Sequence, residues 1–138
     1  MRTDMMLALE QLKAMLAADP RILAAFLFGS QAEGYILPHS DMDVAVLFTS
    51  EVASAITLRD VALLEAELVQ ATGLPVEVVN LNRASVLLQH RAISGISLFE
   101  RDRDVVSDFI EGVLKARRAT AYRRNRRLKD FFGMAPHD

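Results

Sequence analysis

Two aspartates one residue apart, Asp41 and Asp43, follow a Gly29-Ser30 pair after ten intervening residues. On extended backbone, residues i and i+2 project to the same side, so the two carboxylates stand together on one face. Two anions at that spacing raise each other's pKa, and a divalent cation removes the cost. Magnesium suits the pair because it takes oxygen ligands, accepts one or two carboxylates and keeps positions for water and substrate phosphates. Glycine at the end of a strand allows close backbone approach, and the adjacent amides with the Ser30 hydroxyl can hold phosphate oxygens. Ser40, directly before the first aspartate, is a further candidate contact to the same ligand. A third carboxylate is needed for a second metal or for a general base that activates an attacking hydroxyl. Glu77, flanked by Val76 and Val78, is the best-placed candidate. Such a set acts on a triphosphate mainly by positioning and by neutralising charge.

These residues need strands to hold them. Residues 22–28 are too short and too apolar for a surface helix and read as a buried strand that ends at Gly29-Ser30. A polar connection containing Gly34, Pro38 and His39 leads to a second strand over 42–48. Pro75 introduces a third over 76–81, whose alternation places Glu77 on one face, and 96–100 after Gly95 reads as a short fourth. Thr3 can cap a first helix that runs to about Ala18, with Met6, Leu9, Leu12 and Leu16 at helical spacing and Asp19-Pro20 as the stop. Met5, Met6 and Met15 are assigned to core contact. Thr57 and Asp60 match a capping box for a second helix, with Leu58, Val61, Leu64 and Leu68 as its apolar face and Gly73 as its end. A short helix over 84–93 and a long one from 104 to about 129 complete the chain; the long one buries Val106, Phe109, Ile110, Val113 and Leu114. Strands and helices alternate without a repeat or linker, so the sequence reads as one α/β domain.

With 138 residues and no cysteine, the chain has room for one domain and excludes a disulfide framework, a thiolate metal site and a cysteine nucleophile. Its start carries Asp4, Glu10 and Lys13 through the apolar stretch, as an amphipathic helix does and a signal peptide or membrane span does not. A cytoplasmic protein is expected. The net charge of -2 conceals polarity along the chain: residues 1–114 hold 8 Lys/Arg against 16 Asp/Glu, whereas 115–129 hold 8 Lys/Arg and no acid. That block is either a solvated helix end or a contact for a partner. Tyr122 is its only aromatic residue, too little aromatic surface to stack single-stranded nucleic acid, so direct nucleic-acid binding is not expected.

The Gly-Ser pair, the ten-residue gap, the Asp-x-Asp and the later acidic residue together resemble the minimal nucleotidyltransferases (MNT) of the DNA polymerase beta-like nucleotidyltransferase superfamily. The resemblance runs from about Phe26 through Leu81, and 95–101 is similar to the family's last core strand. It implies an α+β fold with a mixed, largely antiparallel four-stranded sheet, helices mainly on one face and the metal site at an open edge. It also implies that Gly29 and Ser30 bind the nucleotide phosphates, that Asp41 and Asp43 hold metal, and that Glu77 completes the carboxylate set. Two Mg2+ ions and ATP as substrate are implied with them. The sequence departs from the family at Glu33, where arginine is frequent, and at Glu77, where aspartate is more usual.

Minimal members of this family resemble half of an enzyme, and many are encoded with a small helical HEPN toxin to which they act as antitoxins, adding AMP to a tyrosine of the toxin. That implies transfer of AMP from ATP to a hydroxyl of such a partner, by a single domain spanning 1–138 whose basic helix end, 115–130, contributes to docking. A homodimer and a heteromer both fit. A non-catalytic antitoxin that blocks its partner by contact is the alternative. An antibiotic-modifying nucleotidyltransferase shares the site but carries an additional substrate-binding domain. His39 and Tyr35 are read as loop residues, His90 as a helix-surface residue and His137 as part of the tail.

Overall fold

The computed structural model describes residues 2–29 and 42–132, with side chains over 5–29 and 42–123. Four helices and four strands follow in the order α1 (Arg2–Ala18), β1 (Ile22–Phe28), β2 (Met42–Phe48), α2 (Leu58–Thr72), β3 (Val76–Asn80), α3 (Val86–Ile93), β4 (Ile96–Glu100) and α4 (Arg103–Phe132). The strands form one sheet in the order β3-β2-β1-β4. β1 is antiparallel to both β2 and β4, and β2 is parallel to β3. The expected mixed, largely antiparallel four-stranded sheet is therefore present.

This topology decides where a site can form. Because β1 opposes its two neighbours and β3 follows β2, the last residue of β1 and the first residues of β2, β3 and β4 all meet at one end of the sheet. Gly29, Asp43, Glu77 and Gly95 are drawn from those four strand ends.

All seven residues of β1 are buried, and β2 buries all but Asp43. A strand buried on both sides needs cover on both sides, and two apolar clusters supply it. Leu12 and Leu16 of α1 and Leu64 and Leu68 of α2 join Met42, Val44, Val46, Val76 and Val78 on one face. Ala92 of α3, Val106 of α4 and Leu81 join Phe26, Phe28, Ala45 and Leu47 on the other. The helices, expected mainly on one face, thus divide into two pairs.

Local signals explain most element ends. The Thr57 hydroxyl accepts from the Asp60 N–H at 3.1 Å while the Asp60 carboxylate accepts from the Thr57 N–H at 2.8 Å, closing the expected capping box. Arg101, just after β4, donates from Nε to the Ile22 carbonyl at 2.9 Å and from Nη2 to the carbonyls of Ala17 and Asp19 at 2.9 Å each. One guanidinium thereby ties the end of α1 to the start of β1. Along the β3 edge, the Val78 N–H donates to Oε1 of Glu65 on α2 at 2.8 Å, which holds the strand carrying Glu77.

Three assignments of helix faces are corrected. Met6 is 67% exposed, and it is Met5, Leu9 and Met15 that pack on the core, so the inward stripe of α1 starts one residue earlier than expected. Leu58 is 87% exposed, because the first helical residue of α2 precedes the turn that meets the sheet. Leu114 is exposed, and burial along α4 stops at Val113 in the described side chains. Thr3 lies inside α1, which begins at Arg2, and not at its cap.

Candidate active site

A glycine follows the last residue of β1 for two reasons. Gly29 has φ +81°, in the left-handed region that L side chains avoid. In addition, a Cβ built there would collide with Oδ2 of Asp43. The space beside the Gly29 Cα and the Asp43 carboxylate are therefore one and the same, and only a residue without a side chain fits there.

The carboxylates come from adjacent strands in register. Asp43 is the Cα partner of Glu77 across the parallel β2–β3 pair and of Phe28 across the antiparallel β1–β2 pair. Residues in register share a face, so Phe28, Asp43 and Glu77 form one row across the sheet, on the side covered by α3 and α4. Asp43 is half-buried and Glu77 is exposed on the edge strand. The apolar residues to either side of each, Met42 and Val44, Val76 and Val78, point into the opposite cluster and fix both carboxylates outward.

Of the residues singled out in the sequence, Gly29, Asp43 and Glu77 are thus brought to one sheet end. Ser30, Ser40 and Asp41 lie outside the described residues, as do Glu33, Tyr35, His39 and His137. Among the described residues no group of three or more His, Asp or Glu side chains converges as a metal cage. Two hard carboxylates on neighbouring strands beside a glycine turn are nevertheless a donor set that suits an oxygen-seeking divalent cation.

A concavity of about 350 Å³ opens next to this row. Phe28, Gly29, His90, Arg91, Ser94, Gly95 and Ile96 line it. It lies on the β4 side of Asp43, opposite Glu77. Gly95 makes it possible, since a Cβ there would run into the Leu27 carbonyl and come within 3.1 Å of the Phe28 side chain. His90, expected on a helix surface, is half-buried in this wall. The sequence carried no signal for its position, which depends on β4 pairing with β1.

The family description "Polymerase beta, Nucleotidyltransferase" matches residues 10–104, which includes all four strands. The chain belongs to this nucleotidyltransferase family. No match emerges among curated protein sequences. Among solved structures, the fold is similar to a chain of a toxin–antitoxin complex crystallised with AMP-PNP, at 21% identity and a TM-score of 0.73, covering 90% of this chain and 98% of that one. It is also similar to a chain of the MntA–HepT toxin–antitoxin complex, at 20% identity and a TM-score of 0.69, covering 92% and 98%. A third similar structure is that of a tri-AMPylated Shewanella oneidensis HEPN toxin with its MNT antitoxin, again at 20% identity, a TM-score of 0.69 and coverage of 92% and 98%. At these identities the likeness establishes a shared nucleotidyltransferase fold. No helix among the described residues is long and apolar enough to cross a membrane.

Proposed function

We propose that this nucleotidyltransferase transfers AMP from ATP to a hydroxyl acceptor, a tyrosine of a HEPN-type toxin partner, and so serves as the antitoxin of a cytoplasmic toxin–antitoxin pair. The observation that carries the reading is the in-register pairing of Asp43 with Glu77 beside the Gly29 turn. Similar folds in toxin–antitoxin complexes, one with AMP-PNP and one with an AMPylated toxin, support the choice of nucleotide and partner.

Asp41, Asp43 and Glu77 would hold Mg2+, two ions in this reading, whose chemistry is neutralisation of phosphate charge. The chain's own contribution is positional. Gly29 and Ser30 receive phosphate oxygens, and the half-buried Asp43 marks the centre of the site. Glu77 faces solvent on the edge strand, where a hydroxyl carried by another protein has room to approach. In the transfer the acceptor oxygen forms a bond to the α-phosphorus, the bond from that phosphorus to the bridging oxygen breaks, and pyrophosphate leaves. The acceptor proton passes to the carboxylate set or to water.

Incubation with labelled ATP, Mg2+ and the HEPN-type partner should label the partner on tyrosine. Asp41→Ala and Asp43→Ala should each abolish labelling while the complex persists. A wild-type protein that holds its partner yet shows no Mg2+-dependent ATP affinity would make it an antitoxin that acts by contact alone.

A further inference from the structure

The concavity between β1 and the α3–β4 turn contains the only two basic side chains lining the described part of this site, and the carboxylate row does not use them. We propose that it is the seat of the nucleotide's phosphate tail, the part released as pyrophosphate, with the Arg91 guanidinium and an N–H donor of His90 as its wall. The proposal rests on the nucleotidyl-transfer reading and adds to it where the leaving group sits and which residues hold it.

Charge requires such a wall. A nucleoside triphosphate brings about four negative charges to a sheet end that already carries Asp43 and Glu77, and cations held by those carboxylates offset only part of the sum. Arg91 offers a planar fork of donors that matches phosphate oxygens, and His90 keeps at least one N–H donor in either protonation state.

Neither side chain has another task among the described residues. Arg21 is bonded to Asp19, Arg83 donates to the Ser54 carbonyl, and Arg101 braces α1 against β1. His90 and Arg91 make no side-chain hydrogen bond or ion pair with any described residue. Basic residues in a last helical turn often serve the terminal carbonyls. Here that need is met without them: the Ser94 N–H and hydroxyl both reach the His90 carbonyl, at 3.2 and 2.8 Å, and the Gly95 N–H reaches that of Ala92 at 3.0 Å.

Placement assigns the direction of the substrate. Phe28, Asp43 and Glu77 lie in one row, with the concavity beyond Phe28 and the exposed edge beyond Glu77. A phosphate tail seated against Gly29, Arg91 and Ser94 puts the α-phosphorus near Asp43 and leaves the Glu77 side open for the acceptor. Leaving group and nucleophile then occupy opposite sides of the reacting phosphorus, as an in-line displacement needs.

The test is calorimetric titration of the full chain with Mg2+-pyrophosphate, ATP and AMP, with amide shifts followed by NMR. Pyrophosphate should move the amides of Gly29, Ser94 and Gly95. Arg91→Ala should weaken pyrophosphate and ATP by about tenfold, the worth of one charge-assisted contact, with AMP changed less than twofold. Arg91→Lys should recover part of the loss, and His90→Gln should give a smaller one in the same direction. Equal weakening of AMP and ATP would place the nucleoside in the concavity and overturn the proposal. So would unchanged pyrophosphate affinity in both variants. Arg91-dependent pyrophosphate binding by a protein that transfers no nucleotide would keep the seat and remove the transfer reading, whereas a wild type that binds neither pyrophosphate nor ATP removes both.

Discussion

Gly29 presents its bare Cα to Oδ2 of Asp43, so the glycine turn and the carboxylate are parts of one fitted unit. Gly29→Ala has two costs. A left-handed φ strains an alanine by roughly 1–2 kcal/mol, and the new methyl pushes the Asp43 carboxylate aside. We expect thermal melting to fall by several degrees and transfer of label from ATP to drop more than about tenfold, beyond what lost folding alone explains. Activity measured well below the melting point separates the two effects, and an active Gly29→Ala protein would remove the fitted unit from the site.

The pairing of Asp43 with Glu77 makes a second, opposite-signed expectation. Like charges directly across two strands cost a few tenths of a kcal/mol up to about 1 kcal/mol. Glu77→Gln removes that repulsion, so in chelator the variant should melt slightly above the wild type. Adding Mg2+ should stabilise the wild type and leave the variant nearly unmoved, while transfer falls by about two orders of magnitude. Glu77→Asp should keep most of the activity, because it returns the residue more usual in the family. Identical Mg2+ responses of wild type and Glu77→Gln would take Glu77 out of the carboxylate set.

Most of the scaffold was legible because each strand is an apolar run bounded by turn residues: Ile22–Phe28, Met42–Phe48 and Ile96–Glu100 match the expected bounds. The division of helices between two faces was legible too, in principle. Alternate β1 and β2 positions that are all apolar, down to Ala45 and Leu47, imply cover on both sides. What the sequence could not show was the neighbourhood of each strand end. Glu77 falls beside Asp43 only because β3 joins β2 in parallel register, and Arg91 and Gly29 line one concavity only because β4 pairs with β1. Both are long-range facts without a local signature. Leu58 was misplaced for a humbler reason, since an apolar residue at a helix's first position has no preceding turn to fix its direction, and Met6 because the adjacent Met5 takes the inward place on α1.

Glu65 supports the site from behind. Its carboxylate accepts the Val78 N–H, on the open side of the edge strand and one residue from Glu77. Glu65→Ala should lower stability by about 1 kcal/mol, the ordinary worth of one such bond, and loosen β3 where the acceptor approaches. Glu65→Gln retains an acceptor oxygen and should behave close to wild type. Hydrogen exchange at Val78 reads the effect directly: faster in Glu65→Ala, little changed in Glu65→Gln. Equal protection in all three would mean that the edge is held by the sheet alone.

Asp19 ties part of the fold's stability to pH. Its carboxylate receives Arg21 Nη2 at 2.7 Å, Nε at 3.0 Å and the Arg21 backbone N–H at 3.0 Å, and the Asp19 carbonyl in turn takes Arg101 Nη2 at 2.9 Å. The Arg21 side-chain bond is the main cause that holds the Asp19 carboxyl below the usual value of 3.8, against the opposing effect of burial. A carboxyl that releases its proton more readily when folded stabilises the fold above its unfolded pKa. That stability is lost as pH falls through the lowered, folded value. Asp19→Asn should therefore be less stable than wild type at pH 7, by less than about 1 kcal/mol because the Arg21 side chain is 40% exposed. The gap should narrow below pH 3.8 and close as pH falls through the lower, folded value, where the wild type protonates and the variant has nothing to lose. Chemical denaturation at pH 7 and at pH 3 checks the sign. A gap that widens in acid would show that Asp19 is protonated more easily in the folded chain than in the unfolded one, contrary to the geometry of its three donors.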